Sequence, residues 1–282
     1  MDWGAFSADA AITLVLVWAL LSGTWVVALR VGRHAVIDVV WGAGFAVVAV
    51  AGVLLARAHD VGDGGRQVLV VVLTVVWGLR LAVHIGRRNH GKGEDPRYAD
   101  IQARATGCPA LHMYRRVYLT QAAAMWFVSL PVQAAVHQDG PLWSGASLVV
   151  TVLGIAVWAI GMFFEAVGDW QLARFTADPA NAGVVNDRGL WRYTRHPNYF
   201  GDACVWWGLF LLAAGHWSGL VFVLSPALMT WTLAKGTGAP LTEKRMSSSR
   251  RGYAEYVERT SGFLPRPPRR SAPHRGQQPY PR

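Results

Sequence analysis

The sequence predicts an all-α integral membrane protein of about seven transmembrane helices, with its N-terminus outside and its C-terminus in the cytoplasm. Three observations carry this expectation. The 282 residues are 52% hydrophobic with 14 Trp and a mean hydropathy of +0.24, too apolar and too aromatic for a soluble domain of this length. Several apolar runs approach the roughly 20 residues that cross a hydrocarbon layer. Basic residues crowd into alternate loops.

In chain order, apolar runs cover residues 10–29, 35–55, 68–85, 118–136 and 148–164, followed by the shorter 200–214 and 220–233, joined at "GHWSG". Counting the last two as separate helices gives seven spans, and counting them as one gives six. The first run has an acidic front end and no small-residue cleavage site before Arg30, so a retained helix is expected rather than a signal peptide. Arg30 and Arg33 follow the first run. Arg87, Arg88, Lys92, Arg97, Arg104, Arg115 and Arg116 lie between the third and fourth, and Arg174, Arg188, Arg192 and Arg195 between the fifth and sixth. The intervening loops carry only Arg57 and Arg66, so the crowded loops are expected in the cytoplasm. No internal repeat is visible. Residues 1–265 read as one polytopic domain and 266–282, rich in Pro and Arg, as a disordered tail.

The net charge of +10 could serve nucleic acid, but it sits in loops between spans, where membrane lipids or an anionic ligand are the natural partners. Cys108 and Cys204 are the only cysteines, so no disulfide framework follows. No metal is expected, and the sequence sets no oligomeric state.

The chemistry lies in polar residues near the spans. Asp38, about a turn inside the second run, and Arg80, about two turns inside the third, are placed to meet, since an ionisable group at that depth seeks a partner or a wet cavity. His84 and Arg88 continue the Arg80 face at one-turn spacing. In "RRNHGKGEDPRY", Gly91, Gly93 and Pro96 stop a simple helical continuation, leaving Glu94 and Tyr98 as an acid and a phenol that can fold back over a cavity. Glu165 and Asp169 lie one turn apart near the end of the fifth run, just before Gln171 and Arg174.

"GLWRYTRHPNYFGD", residues 189–202, is the densest polar stretch. Pro197 suits a first helical turn and leaves Asn198 and Tyr199 near backbone N–H groups that favour anions. Arg192 and Arg195 supply guanidiniums suited to phosphate or carboxylate oxygens. Gly201 permits close approach of a backbone or a ligand, and His196 adds a titratable ring.

This motif resembles the signature of the steroid 5-alpha-reductase-like membrane enzymes, in particular their bacterial branch, and is similar to that of the sterol C14 and C7 reductases. The resemblance extends through "IDVVWGAGF", "WGLRLAVHIGRRNHGKGEDPRY", "EAVGDWQLARFTADP" and "EKRMSSSRRGYAEYVERTSGFLP". It implies an NADPH-dependent oxidoreductase of the bacterial inner membrane that reduces a carbon–carbon double bond of a lipid-like enone of steroid or isoprenoid type. The cofactor would lie on the cytoplasmic side. By the same resemblance Asn198, Tyr199 and Asp202, together with Asp169 and Arg174, contact the cofactor, while Arg245, Tyr253 and Tyr256 belong to a closing C-terminal segment. Arg192, Arg195 and His196 join that cofactor set. The acid and phenol of the animal enzymes have no direct counterpart, and Asp38 and Tyr98 stand as substitutes.

Two alternatives remain open. The shorter "RHPxYxG" pattern resembles isoprenylcysteine carboxyl methyltransferases, which use S-adenosylmethionine, although "LTEKRM" holds one Glu where those enzymes typically hold a pair. A non-enzymatic transporter or scaffold is the other. Against it, Asp38 and Arg80 both lie toward one side of the membrane.

Overall fold

The computed structural model describes residues 1–269, and most of the expected tail lies outside the described residues. Among the described residues six helical segments are long and apolar enough to cross a membrane, which makes this an all-helical integral membrane protein. The expected count was about seven; it is six not because 200–214 and 220–233 merge but because 200–214 is not among the spans. The segment at 200–214 does form a helix, but its first turns carry Asn198, Tyr199 and Asp202 and it falls short of the apolarity of the others.

Helix α1 (Trp3–Val31) starts where the Asp2 side chain accepts from the N–H of Gly4 and Ala5 and stops at Gly32, whose left-handed φ of 70° suits a glycine C-cap. α2 (Val36–Ala58) and α3 (Gly64–Asn89) follow, the latter capped by Asp63. α3 ends before Gly91, as the sequence implies, and Pro96 opens the short α4 (Pro96–Ala103). α5 (Pro109–Met113) runs through a widened π turn, Tyr114–Tyr118, into α6 (Leu119–Val136). Beyond these lie α7 (Gly145–Ala177), α8 (Pro197–Ala214), α9 (Leu224–Ala234), α10 (Ala239–Ser249) and α11 (Tyr253–Arg259).

The chain divides into two compact units, one of Met1–Ala159 with Cys204–Met229, the other of Ile160–Ala203 with the chain from Thr230 onward. In the first unit α2 packs on α3 through Gly42 and Gly78. A Cβ on either glycine would lie 2.4 Å from the other's carbonyl oxygen, so any side chain there would drive the helices apart. Phe45, Trp77 and Trp206 form a buried ring cluster with centroids 4.5 to 5.6 Å apart, and each such pair adds about 0.5–1.5 kcal/mol beyond burial.

Polar groups tie both ends of this unit. At the C-terminal ends of α2 and α6, buried Asp9 meets His137 Nε2 at 2.8 Å and His59 Nε2 at 3.1 Å. The sequence reading placed intramembrane ionisable groups at one end only. Asp9 and the buried Arg66 place them at the other end as well, because side chains from separate helices converge there.

In the second unit the core is smaller. Tyr253 and Tyr256 of α11 bury against Val185, with Met246 of α10 alongside.

Candidate functional site

Two polar constellations are built, one in each unit. The first gathers at the start of α2. Asp95 caps α4, accepting the Arg97 N–H at 2.8 Å, and this cap holds Arg97 and Tyr98 on consecutive positions of the first turn. Arg97 makes two contacts to Asp95, through Nε and Nη2, both at 3.0 Å, and its Nη2 also donates to Asp38 Oδ2 at 2.7 Å. Tyr98 donates its phenol proton to Asp38 Oδ1 at 2.5 Å. Asp38 thus has an ionic partner in Arg97, fifty-nine residues away in sequence, a pairing that the sequence reading did not make. The capped α4 brings this guanidinium to the start of α2.

Glu94 holds the segment entering α2. Its carboxylate accepts the backbone N–H of His34 (2.5 Å), Ala35 (3.0 Å) and Asp95 (2.9 Å). His34, 5% exposed, places Nδ1 2.9 Å from the phenol oxygen of buried Tyr118, the last residue of the π turn. Such turns shift helical register and are frequent at functional sites. His34 and Tyr118 escaped the sequence reading. The only signal for them was a histidine just before a span and a tyrosine among apolar residues.

Electrostatics here favour a protonated phenol. Burial, then the charge of Asp38 and the hydrogen bond to it, push the Tyr98 hydroxyl well above its ordinary value. For Arg97 burial opposes the charge, but the Asp95 hydrogen bonds and the Asp38 charge prevail and strengthen its proton binding. Burial lowers the His34 imidazole, with Glu94 acting in opposition. The arrangement keeps a proton on Tyr98 Oη, which it gives to the Asp38 carboxylate.

The second constellation is the 189–202 motif in the second unit. Pro197 opens α8, as expected from sequence. Gly201 is required by close packing, since a Cβ there would lie 2.5 Å from Gly161 O and 2.6 Å from Glu165 N. Asn198 Nδ2 donates to Asp169 Oδ1 at 3.2 Å, so the two segments singled out for the cofactor do meet. Asp202 is buried on the next turn.

Arg195 and His196 have a different engagement. Arg195 Nε and His196 Nε2 both reach Glu243 Oε1 of α10, at 2.9 and 3.0 Å. Arg195 Nη1 also donates to Thr260 O at 2.7 Å, and its backbone N–H to Ser261 O at 2.9 Å. The His196 ring stacks on Tyr199 (centroids 5.2 Å apart, planes 5° apart), and Tyr199 Oη lies 3.2 Å from Thr242 Oγ1. Tyr256 donates to Trp191 O at 2.6 Å, and buried Tyr253 packs beside it. These contacts clasp the C-terminal segment to the motif. Glu243, the centre of the clasp, is the single acid of "LTEKRM".

Arg174 and Arg188 instead line an open cleft of about 370 Å³, with Trp170 and Phe175 as rings and Gln171, Asn181 and Asn186 as carboxamides. Arg174 lies over the Trp170 ring, 5.7 Å from its centroid. Asp178 also lines the cleft, its carboxylate accepting the Ala180 N–H. Arg192 is exposed, and Arg245 lies on α10. The cleft residues were legible only in part, Arg174 from the resemblance and Arg188 merely as a loop charge.

Comparison with known proteins places the chain. It is 22% identical over 227 residues to an uncharacterized protein, C594.04c, of the fission yeast Schizosaccharomyces pombe, the match covering 71% of this chain and 64% of that protein. This chain thus spans less than two thirds of that relative's length. No solved structure matches. Residues 24–260 match the family described as "Protein of unknown function (DUF1295)", a region that takes in both constellations, and the chain belongs to that family.

Proposed function

We propose that the protein is an NADPH-dependent reductase acting on a carbon–carbon double bond of a lipid-like enone in the bacterial inner membrane, with its cofactor on the cytoplasmic side. The observation that carries the reading is the hydrogen bond from buried Tyr98 to Asp38, steadied by Arg97. Reducing a conjugated carbonyl requires a donor at the carbonyl oxygen and a proton for the alpha carbon. A buried phenol that keeps its proton answers the first need once its O–H turns from Asp38 to the substrate oxygen.

The residues of the second unit fit a nucleotide in part. The cleft offers two guanidiniums, three carboxamides and two rings, a donor set suited to phosphate oxygens and an aromatic base. Asn198 and Asp169 add a paired amide and carboxylate. Arg195 and His196, committed to Glu243, are left to position the motif instead of meeting phosphate. When bound, NADPH supplies hydride to the beta carbon. Tyr98 would give its proton to the substrate oxygen in place of Asp38, and Arg97 holds Asp38 beside that phenol.

The test is ligand-dependent thermal unfolding of the detergent-solubilised protein. NADPH is expected to stabilise it at least about tenfold more tightly than NADH through charge-assisted bonds to the 2′-phosphate. Raised salt should shrink that preference. Stabilisation by S-adenosylmethionine and by neither nicotinamide nucleotide would overturn the reading in favour of a methyltransferase.

A further inference from the structure

The end of the first unit remote from Asp38 joins three helices through one carboxylate. Asp9 comes from α1, His59 follows the last turn of α2, and His137 follows the last turn of α6. Asp9 and His137 are each 1% exposed, whereas the His59 side chain is 45% exposed. Asp9 Oδ2 lies 2.8 Å from His137 Nε2, and Asp9 Oδ1 lies 3.1 Å from His59 Nε2. The other ring nitrogen of His137, Nδ1, lies 2.8 Å from the backbone oxygen of Gln133. In a continued helix that oxygen would take the His137 backbone N–H, but this N–H goes to Ala134 O at 3.1 Å, and the ring caps the helix end in its place.

These contacts fix a proton count. A carbonyl oxygen only accepts, so His137 Nδ1 carries a hydrogen. A neutral ring protonated there presents a lone pair at Nε2, and an ionised Asp9 presents another at Oδ2. A hydrogen bond between them at 2.8 Å therefore requires one further proton. The C-terminal end of α6 favours a cation, which puts that proton on the ring. Neighbours hold the ring in place. Thr13 donates to Gln133 Oε1 at 2.6 Å, Gln133 Nε2 donates to Ser129 Oγ at 2.8 Å, and the Phe6 ring meets the imidazole edge to face at 5.7 Å.

The other charged groups at this end are engaged elsewhere. Arg57 donates to Gln67 Oε1 at 3.1 Å, and Arg66 to Gln138 Oε1 at 2.7 Å. Asp63 accepts the Arg66 backbone N–H and Asp2 those of Gly4 and Ala5, while Asp139 takes the Gly62 N–H and the Met1 ammonium. His216 Nδ1 bonds Ser218 Oγ at 2.8 Å, and Asp60 is exposed.

We propose that Asp9, His137 and His59 form a proton-operated latch, in which a proton held between Asp9 and His137 ties α1 to the end of α6 and exchanges with water through His59. Once that proton leaves, the ring has one N–H for two acceptors, so either Asp9 or the Gln133 carbonyl loses its donor in a buried place. The folded chain then holds its latch at lower pH and loses it as pH rises.

The experiment is thermal unfolding of the full chain in neutral detergent between about pH 7 and about pH 9.5, a range in which a paired imidazolium gives up its proton. Asp9→Asn brings its own N–H to Nε2, so a neutral ring suffices and the latch no longer titrates. The wild type should lose about 3 °C more in Tm across this range than Asp9→Asn does. His59→Gln, which leaves the Asp9–His137 contact in place, should keep the wild-type loss. Equal losses in wild type and Asp9→Asn would overturn the proposal, and so would a loss abolished by His59→Gln alone. Should Asp9→Asn fail to fold, nuclear magnetic resonance of the wild type with 15N-labelled histidine decides. A ring carrying hydrogens on both nitrogens at about pH 7.5 is expected, and neutral rings only would overturn the latch.

Discussion

Around Asp38 two carboxylates, Asp38 and Asp95, share the guanidinium of Arg97. Around Glu243 the ratio is reversed, one carboxylate oxygen serving both Arg195 and His196. In the first region burial and the Asp38 charge keep the proton on Tyr98, which gives it to that carboxylate. In the second one oxygen of the acid is shared by two partners, and Arg195 reaches on to backbone carbonyls of the C-terminal segment. The contrast teaches that charge density alone does not mark a reactive site. What matters is whether a group beside the charges keeps a proton that it can give.

The comparison is broken most sharply by changing Tyr98. Tyr98→Phe should lower enone reduction by about 100-fold or more, the range lost with a positioned proton donor, while nucleotide affinity stays constant. Single-turnover rates and nucleotide titration measure the two quantities separately. Loss of nucleotide affinity with an unaltered rate would place Tyr98 outside the chemistry.

Next in size is the clasp. Glu243→Gln leaves a partly buried guanidinium and imidazole without their acid, at a cost of about 1.5–3 kcal/mol for charge-assisted hydrogen bonds. Arg195→Gln should cost a similar amount, and the double replacement less than the sum. Denaturant unfolding of the four proteins in detergent supplies the cycle. Additive losses would mean that the contact contributes no coupling, and a reaction rate that falls in the folded fraction would erase the distinction between the regions.

A smaller effect is expected at Asn198. Asn198→Ala removes the bond to Asp169 and should weaken nucleotide binding by about 3- to 10-fold, the worth of one hydrogen bond. Unchanged binding with a lowered Tm would assign Asn198 to the clasp.

The smallest concerns His34, whose imidazole is lowered by burial. A folded-state value below the ordinary 6.5 means that the unfolded chain binds the proton more readily. The stabilisation is therefore fully present above pH 6.5 and fades as pH falls through the lowered folded-state value. Between pH 7.5 and 5.5 the wild type should lose more Tm than His34→Gln does. Parallel losses would remove His34 as the origin.

Much of the molecule was legible in its residue order. Long apolar runs must become helices in a hydrocarbon layer, where every backbone N–H and C=O needs an internal partner, and α1 to α3 appear where the runs lie. Pro96 and Pro197 begin helices because their ring presets φ, and Gly91 follows the end of α3. Local geometry of this kind depends on neighbours along the chain.

Tertiary structure alone decided which charges meet. Glu243 is forty-seven residues from His196, and Asp38 fifty-nine from Arg97, so no spacing rule could have paired them. The sequence marked Asp38 and Tyr98 as an acid and a phenol near a membrane edge, but only folding of α4 onto the start of α2 made them hydrogen-bonded partners. Likewise Arg66 read as a sparse loop charge, and its burial without an acid arises from where α3, α7 and the end of α8 converge. Coulomb and hydrogen-bond energies depend on distance in space, a quantity that the chain's order does not contain.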